Sequence, residues 1–351
     1  MANASFIDLT DPDESQRVVD ELKRHFATIP IWEYEKYLGD GEYAVTILVK
    51  EKDPSGPGQR VAIKRGKGIN GEIQLRNEIK WLRRLRGAEH CVQMLAGHDD
   101  PTPPSSANPI GNSQVPMKTA LEGLTRPVLG MEYLENGTLS RLMARLRKKR
   151  VHLPNRVLWC FFLCLVRACV GLAYPPNGGE YEPSQLETIP TDGRAPTDIY
   201  HGDLHSGNIM IGNPDFRFAE HFSTPVIKFI DFGETEENKE WGRMLGLIAR
   251  QEVRLHNAKS QYKGIETVAT EILPHGQGAR YPTLDPELRD FLARCLATDE
   301  ANRPSLEEML RVTENAVQTK NAQSFAPHEA LESEVAIGDV LQRVLFDADT
   351  S

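Results

Sequence analysis

Three residues in the second half of the chain are spaced as if to share one task. In His201-Gly202-Asp203-Leu204-His205-Ser206-Gly207-Asn208 a carboxylate precedes an amide by five positions, and the apolar Ile209-Met210-Ile211 follows. A second carboxylate, Asp231, closes the run Val226-Ile227-Lys228-Phe229-Ile230 and is followed by Phe232-Gly233. Hard oxygen donors fixed on loops between short strands suit a site that holds Mg²⁺ and positions a hydroxyl group. Taken singly, each has an ordinary reading: a loop aspartate such as Asp203 commonly caps a turn.

The elements that must position these residues lie mostly upstream. Trp32–Leu38 alternates aromatic or apolar with charged residues and runs into Gly39-Asp40-Gly41-Glu42-Tyr43-Ala44, after which Val45–Val49 is apolar again. This predicts a strand, a glycine turn and a second strand, a hairpin whose backbone amides can cover a phosphate chain. Val61-Ala62-Ile63-Lys64 reads as an apolar strand ending in a lysine, a residue that usually snorkels to solvent from such a place. Ile73–Leu85 sets Ile79, Leu82 and Leu85 on one helical face. Glu78 on that helix is the expected ion-pair partner of Lys64, with Glu72 as second choice. Further strands are expected at His90–Leu95 and Val128–Leu139, and the apolar Leu158–Ala173 is expected as a buried helix leading into the Asp203 loop. Ahead of all of these, Val18, Val19, Leu22 and Phe26 predict an amphipathic helix over Glu14–Ala27.

In succession these segments resemble the protein-kinase superfamily. The resemblance rests on the hairpin, Val61-Ala62-Ile63-Lys64, Glu78-Ile79, Met131-Glu132-Tyr133-Leu134, Asp203-Leu204 with Asn208, Asp231-Phe232-Gly233 and Arg303-Pro304-Ser305, and covers Trp32 to Leu310. It implies an α+β, bilobal protein-kinase-like fold, with a small antiparallel β-sheet N-lobe carrying one main helix and a mainly helical C-lobe. The corresponding boundaries are 1–31 for an N-terminal helical extension, 32–134 and 135–320 for the two lobes, and 321–351 for a C-terminal tail. The cofactors implied are ATP and Mg²⁺. Gly39, Gly41 and Ala44 would lie over the phosphates, Ala62 and the gatekeeper Met131 beside the base, and backbone groups of Glu132 and Leu134 on the adenine. Lys64, held by Glu78, would bind the α- and β-phosphates, Asn208 and Asp231 would bind the metal, and Asp203 would accept the hydroxyl proton.

Several positions depart from the family pattern. Ala44 replaces the third glycine of the loop and Thr46 its valine, so the hairpin taken alone reads sooner as a plain β-turn than as a phosphate-covering loop. Gly202 stands where the family usually has arginine, and no Ala-Pro-Glu follows Gly233; together they predict no activation-loop phosphorylation switch. His205 replaces the usual lysine and gives the His-Gly-Asp-Leu-His form of small-molecule kinases of the same superfold. It either supplies a titratable positive charge or bonds the loop backbone. Three functions follow: a protein kinase directed to serine or threonine, a small-molecule kinase, or a nucleotide-binding pseudokinase scaffold. The acceptor is accordingly a protein substrate or a small-molecule hydroxyl.

Composition bounds the remaining classes. The 351 residues are 40% apolar and 26% charged with a net charge of −9, which argues against a nucleic-acid partner for the whole chain. No hydrophobic leader and no run of 18 apolar residues is found, so no membrane span is expected. Cys91, Cys160, Cys164, Cys169 and Cys295 form no CxxC pair and read as reduced core residues of an intracellular protein. Gly97–Pro127 and Tyr174–Thr197 read as irregular inserts. Arg141, Arg145, Arg147, Lys148, Lys149 and Arg150 form the basic end of a helix, either solvated or a docking patch for an acidic partner. A last amphipathic helix is expected around Val335–Leu345.

Overall fold

Strand alternation decides which side chains reach the interior and which reach the site. The computed structural model describes residues 12–52, 58–99, 117–179, 182–237, 258–275 and 278–347. Its main sheet has five antiparallel strands, β1 (Trp32–Asp40), β2 (Ala44–Glu51), β3 (Arg60–Gly66), β4 (Met94–His98) and β5 (Val128–Glu132), in the order β1-β2-β3-β5-β4. On β2 and β3, Val45, Ile47, Val49, Val61 and Ile63 point to one face, where they join a buried cluster with Val18, Val19, Leu22 and Phe26. Those four residues belong to α1 (Pro12–Ala27), which therefore covers one side of the sheet. The alternate residues Ala44, Thr46, Ala62 and Lys64 face a cleft on the opposite side.

That second face is closed by α2 (Gly68–Arg84), through the buried Leu75, Ile79 and Leu82. The helix begins five residues earlier than its apolar periodicity predicts. Its N-cap residue, Lys67, makes no side-chain cap; the Glu14 carboxylate of α1 takes that place, accepting from Gly68 N–H at 2.8 Å and satisfying one orphan donor. Gly71 is required by close approach, because a Cβ there would lie 2.1 Å from the Tyr43 carbonyl oxygen. The same carbonyl accepts from Lys67 N–H at 2.7 Å, so the tip of the β1–β2 hairpin rests on the start of α2.

Two strand boundaries differ from expectation. The fourth strand runs over Met94–His98 rather than His90–Leu95. The earlier segment pairs elsewhere: Phe229 accepts from Val92 N–H and donates to the His90 carbonyl at 2.9 Å each, Gln93 Nε2 donates to the Ala88 and Cys91 carbonyls at 2.5 and 2.8 Å, and Glu187 Oε1 accepts from His90 N–H at 2.7 Å. The fifth strand ends at Glu132, not Leu139; Asn136 and Gly137 instead exchange backbone bonds with Ile211 at 3.2 and 2.9 Å. Thr138 then caps α4 (Leu139–Lys149), its hydroxyl accepting from Arg141 N–H.

The C-terminal half is built on α5 (Asn155–Ala173), whose Leu163, Val166 and Val170 pack on Phe291, Met309 and Leu310 of α6 (Pro286–Cys295) and α7 (Leu306–Thr319). At 19 residues α5 is long and apolar enough to cross a membrane by length and composition, which corrects the expectation that no segment is. Its sides, however, are packed against protein: 72% of the apolar window is buried. Between α5 and α6 lie β6 (Ile199–Tyr200), β7 (Ile209–Pro214), β8 (Pro225–Phe229) and β9 (Glu236–Glu237), with β7 paired to β8 and β6 to β9. Arg303 ties the turn between α6 and α7, its Nε donating to the Ala297 carbonyl at 2.9 Å.

The expected terminal helix is present as α8 (Glu334–Leu341), continued by a wider turn over Gln342–Phe346. Ile337, Leu341, Val344 and Leu345 enter the same buried cluster as α2 and α5, although Val335 is exposed. Two cations of the basic α4 end reach this segment: Arg145 donates to the Val344 carbonyl at 3.4 Å and Lys149 to that of Arg343 at 2.9 Å. Of the two inserts, Tyr174–Thr197 carries the buried Glu187, and Gly97–Pro127 ends in the short α3 (Met117–Ala120), whose Met117 and Ala120 join the α1 side of the sheet. The apolar run Trp241–Ile248, whose sequence reads as a buried helix, lies outside the described residues, as does the greater part of Gly97–Pro127.

Candidate active site

A cleft of about 680 Å³ opens between the sheet and the β7–β8 hairpin. Its lining brings together the residues expected to bind nucleotide and metal or to act on the hydroxyl: Gly39, Gly41, Ala44, Ala62 and Lys64 from β1–β3, Glu78 from α2, Met131 and Glu132 of β5 with Leu134 after it, and Asp203, His205, Asn208 and Asp231 from the loops flanking β7 and β8. These positions span nearly 200 residues of chain, so only the tertiary fold makes them neighbours.

The centre of the cleft wall is an ion triad. Lys64 Nζ lies 2.7 Å from Glu78 Oε2 and 2.8 Å from Asp231 Oδ1. Glu72 is not the partner; it pairs with Arg76 and Arg126 at 3.5 Å each. Burial disfavours the charged lysine, but the two carboxylates outweigh it and raise its pKa. Burial likewise opposes ionisation of Asp231, and Lys64 overrides it to hold that carboxyl below the usual range. Glu78 is pushed upward, because its burial outweighs the lysine.

The loop that carries Asp231 is held by three independent supports. Ile230 N–H donates to the Asn208 carbonyl at 3.0 Å, and His201 Nε2 bonds the Ile230 carbonyl at 2.8 Å. From α2, Asn77 Nδ2 donates to the carbonyls of Gly233 and Thr235 at 2.8 and 2.9 Å, and its own Oδ1 accepts from Trp81 Nε1 at 3.0 Å. Asp231 itself has φ +65°, a left-handed conformation uncommon for any residue but glycine. Such strain persists where surroundings over-determine it, which is common in ligand-binding loops.

Facing it, Asp203 and Asn208 form a compact pair: Asn208 Nδ2 donates to the Asp203 carbonyl at 2.9 Å and to its Oδ2 at 3.1 Å. With its nitrogen engaged, Asn208 has its amide oxygen left for a cation. One amide oxygen and the second Asp231 carboxylate oxygen are the hard donors that Mg²⁺ prefers, so the donor set fits that ion. His205 Nδ1 accepts from Gly207 N–H at 2.9 Å, while its Nε2 is 3.6 Å from Asp203 Oδ2. The ring therefore bonds the loop backbone, as one of its two readings held.

Gly202 has a steric reason. It has φ +83°, and a Cβ there would lie 2.0 Å from the Glu234 carbonyl oxygen. At the hairpin, Gly39 has φ +151°, whereas Gly41 meets no protein atom within 4 Å of a built Cβ. Open space, not protein contact, surrounds the turn on the cleft side. Glu132 contributes differently: its carboxylate turns behind the cleft to Lys228 Nζ at 2.9 Å, and its N–H donates to the Gln93 carbonyl at 3.0 Å.

A scan of protein-family models finds no match to this chain, and a search of curated proteins finds no relative. The site has to be read from its own geometry.

Asn77 was not foreseen, and neither was the Glu89–Lys228–Glu132 group behind the cleft. Asn77 shows only as a polar residue beside Glu78, and nothing in its spacing marks a contact made across more than 150 positions of chain.

Proposed function

We propose that the chain is an ATP-dependent phosphotransferase with a bilobal, protein-kinase-like architecture, transferring the γ-phosphoryl group of ATP to a hydroxyl. A serine or threonine side chain of a protein is the first-choice acceptor. The observation that carries this reading is the contact of Lys64 with both Glu78 and Asp231 on the wall of a cleft that also holds Asp203 and Asn208.

Transfer of this kind is governed by positioning and charge. Lys64 meets the α- and β-phosphate oxygens, and Glu78 keeps its ammonium aimed at them. Asp203 takes the proton of the attacking hydroxyl as the new oxygen–phosphorus bond forms and ADP leaves with the bridging oxygen. The turn from Gly39 to Ala44 lies over the phosphates and excludes water. Asn208 and Asp231 are the residues that hold Mg²⁺, which when bound neutralises phosphate charge.

A second reading, a small-molecule hydroxyl as acceptor, is favoured by Gly202. The Glu234 backbone packs directly on it, so no arginine can stand there to engage a phosphorylated activation loop. The test is Mg²⁺-dependent transfer of radiolabelled phosphate from ATP by purified protein, offered to itself, to generic protein substrates and to a panel of small hydroxyl compounds. Asp203→Ala and Asp231→Ala serve as controls. Label on protein that both controls abolish supports the first reading, and label on small compounds alone supports the second. No transfer, with ATP still raising the melting temperature, would overturn both in favour of a nucleotide-binding scaffold.

A further inference from the structure

Behind β8, three segments bring metal-ligating atoms together in the interior. His90 comes from the turn before β4, Cys164 from the middle of α5, and His221 from a single helical turn between β7 and β8. They are 0%, 0% and 1% exposed. The Cys164 sulfur and one ring nitrogen from each histidine lie within 4.8 Å of one another. The two Nε2 atoms are 3.2 Å apart. Two imidazoles sharing one ion come to nearly that separation, since bonds of about 2.0–2.1 Å at a tetrahedral angle set the nitrogens about 3.3–3.4 Å apart.

The surroundings are built as well. Glu187 Oε2 meets His90 Nδ1 at 2.6 Å, and its other oxygen accepts from His90 N–H at 2.7 Å. A carboxylate behind the ring fixes which nitrogen faces inward and strengthens it as a ligand. Arg167 Nη1 holds the Glu187 carbonyl at 2.7 Å. Glu220 also approaches, its Oε1 being 3.5 Å from His221 Nε2, but Arg167 already binds both its oxygens at 2.7 Å. None of these residues has a part in the phosphotransfer proposed above.

We propose that His90, Cys164 and His221 form a buried binding site for a thiophilic d¹⁰ cation, Zn²⁺ or Cu⁺. A thiolate with two neutral imidazoles suits either ion. Cu⁺ with these ligands is a neutral, three-coordinate unit, whereas Zn²⁺ retains a positive charge and needs a water as fourth ligand. Uptake sends two protons to solvent, the ring proton shared between the Nε2 atoms and the thiol proton. The bound ion would join the chain before β4, the central helix and the β7–β8 connection, thereby bracing the strand that carries Asp231.

The test uses the full chain, purified without chelator or metal-affinity steps from cells grown with added zinc or with added copper under reducing conditions. Metal content is read by mass spectrometry, and the zinc arm is repeated with Co²⁺, whose thiolate charge-transfer band and visible ligand-field bands report the donors directly. About one equivalent of metal per chain, with the cobalt bands present and both lost in Cys164→Ser, is the expected result. The arm that retains its metal through dialysis identifies the ion. If Cys164→Ser does not fold, the cobalt spectrum of the unmodified chain still decides. Folded chain that takes up no metal in either arm and shows no thiolate–cobalt band would overturn the proposal, leaving a hydrogen-bonded imidazole pair. Metal fully retained by a folded Cys164→Ser, His221→Gln variant would also overturn it.

Discussion

Two lysines in this molecule have nearly the same company and quite different situations. Lys64 stands between Glu78 and Asp231 at 2.7 and 2.8 Å; Lys228 stands between Glu132 and Glu89 at 2.9 and 3.0 Å. In both, burial opposes the charge, the paired carboxylates prevail, and the lysine pKa is raised. What separates them is access. The Asp231 side chain is 45% exposed to the cleft, while Glu89 is 2% exposed and is further held by Arg217 at 2.8 Å. In the second triad Glu89 is shut in, whereas in the first Asp231 stands open to the cleft, where on the proposed reading it and Lys64 can turn to cation and phosphate. The ion triad alone is therefore no mark of function; its opening onto a shaped cleft is.

The contrast can be broken at either end. The largest effect is expected at the open site: Asp203→Asn should lower the rate of phosphate transfer by about 10²–10⁴-fold, with unfolding by urea little changed. At the second triad Lys228→Met leaves the buried Glu89 to Arg217 and the partly exposed Glu132 without its lysine, so stability should fall by about 1–3 kcal/mol in the same urea experiment. The transfer rate per folded molecule should stay near that of the unmodified chain. If Lys228→Met instead abolished transfer without destabilising, the distinction between the two triads would be lost.

Gly202→Ala tests the floor between them. The Cβ collides with the Glu234 carbonyl and the backbone is left-handed, so a loss of more than about 1 kcal/mol is expected, with transfer reduced because Asp203 is displaced. Stability unchanged in thermal and urea unfolding would show that the Glu234 segment yields.

The smallest effect concerns acid. Asp231 has a folded pKa below its ordinary value of about 3.9, so the stability it adds is complete above that value and is lost as pH falls through the lower folded one. Asp231→Asn should accordingly unfold with a shallower pH dependence below about pH 4, measured by circular dichroism. An unaltered slope would mean that Lys64 does not depress this carboxyl.

Residues that act through their own chemistry were legible in the sequence. Asp203, Asn208, Asp231, Lys64 and Glu78 stood out because the motifs that carry them resemble those of the protein-kinase superfamily, and all of them line the cleft. The first three strands and the amphipathic faces of α1 and α2 were legible for the same reason, since their periodicity is local. Features set by distant contact were not. The beginning of β4 depends on Glu187 and Gln93 side chains taking backbone groups from the ladder. Asn77 acts through carbonyls that reach it only in the folded chain. The helical C-terminal segment was expected, but its place was not: Ile337 and Val344 pack in the same cluster as α2 and α5. Apolar periodicity tells that a helix has a buried face, not what covers it.

One contact in the hairpin has a mechanical consequence. The Tyr43 carbonyl bears on Lys67 N–H and leaves no room for a side chain at Gly71, so the turn over the cleft and the first coil of α2 move as one piece. Glu78 rides on the same helix, about ten residues or 15 Å further along its axis. Under the phosphotransfer proposed above, drawing the turn down over a triphosphate would therefore lever the far arm of α2 as well, and with it the carboxylate that aims Lys64.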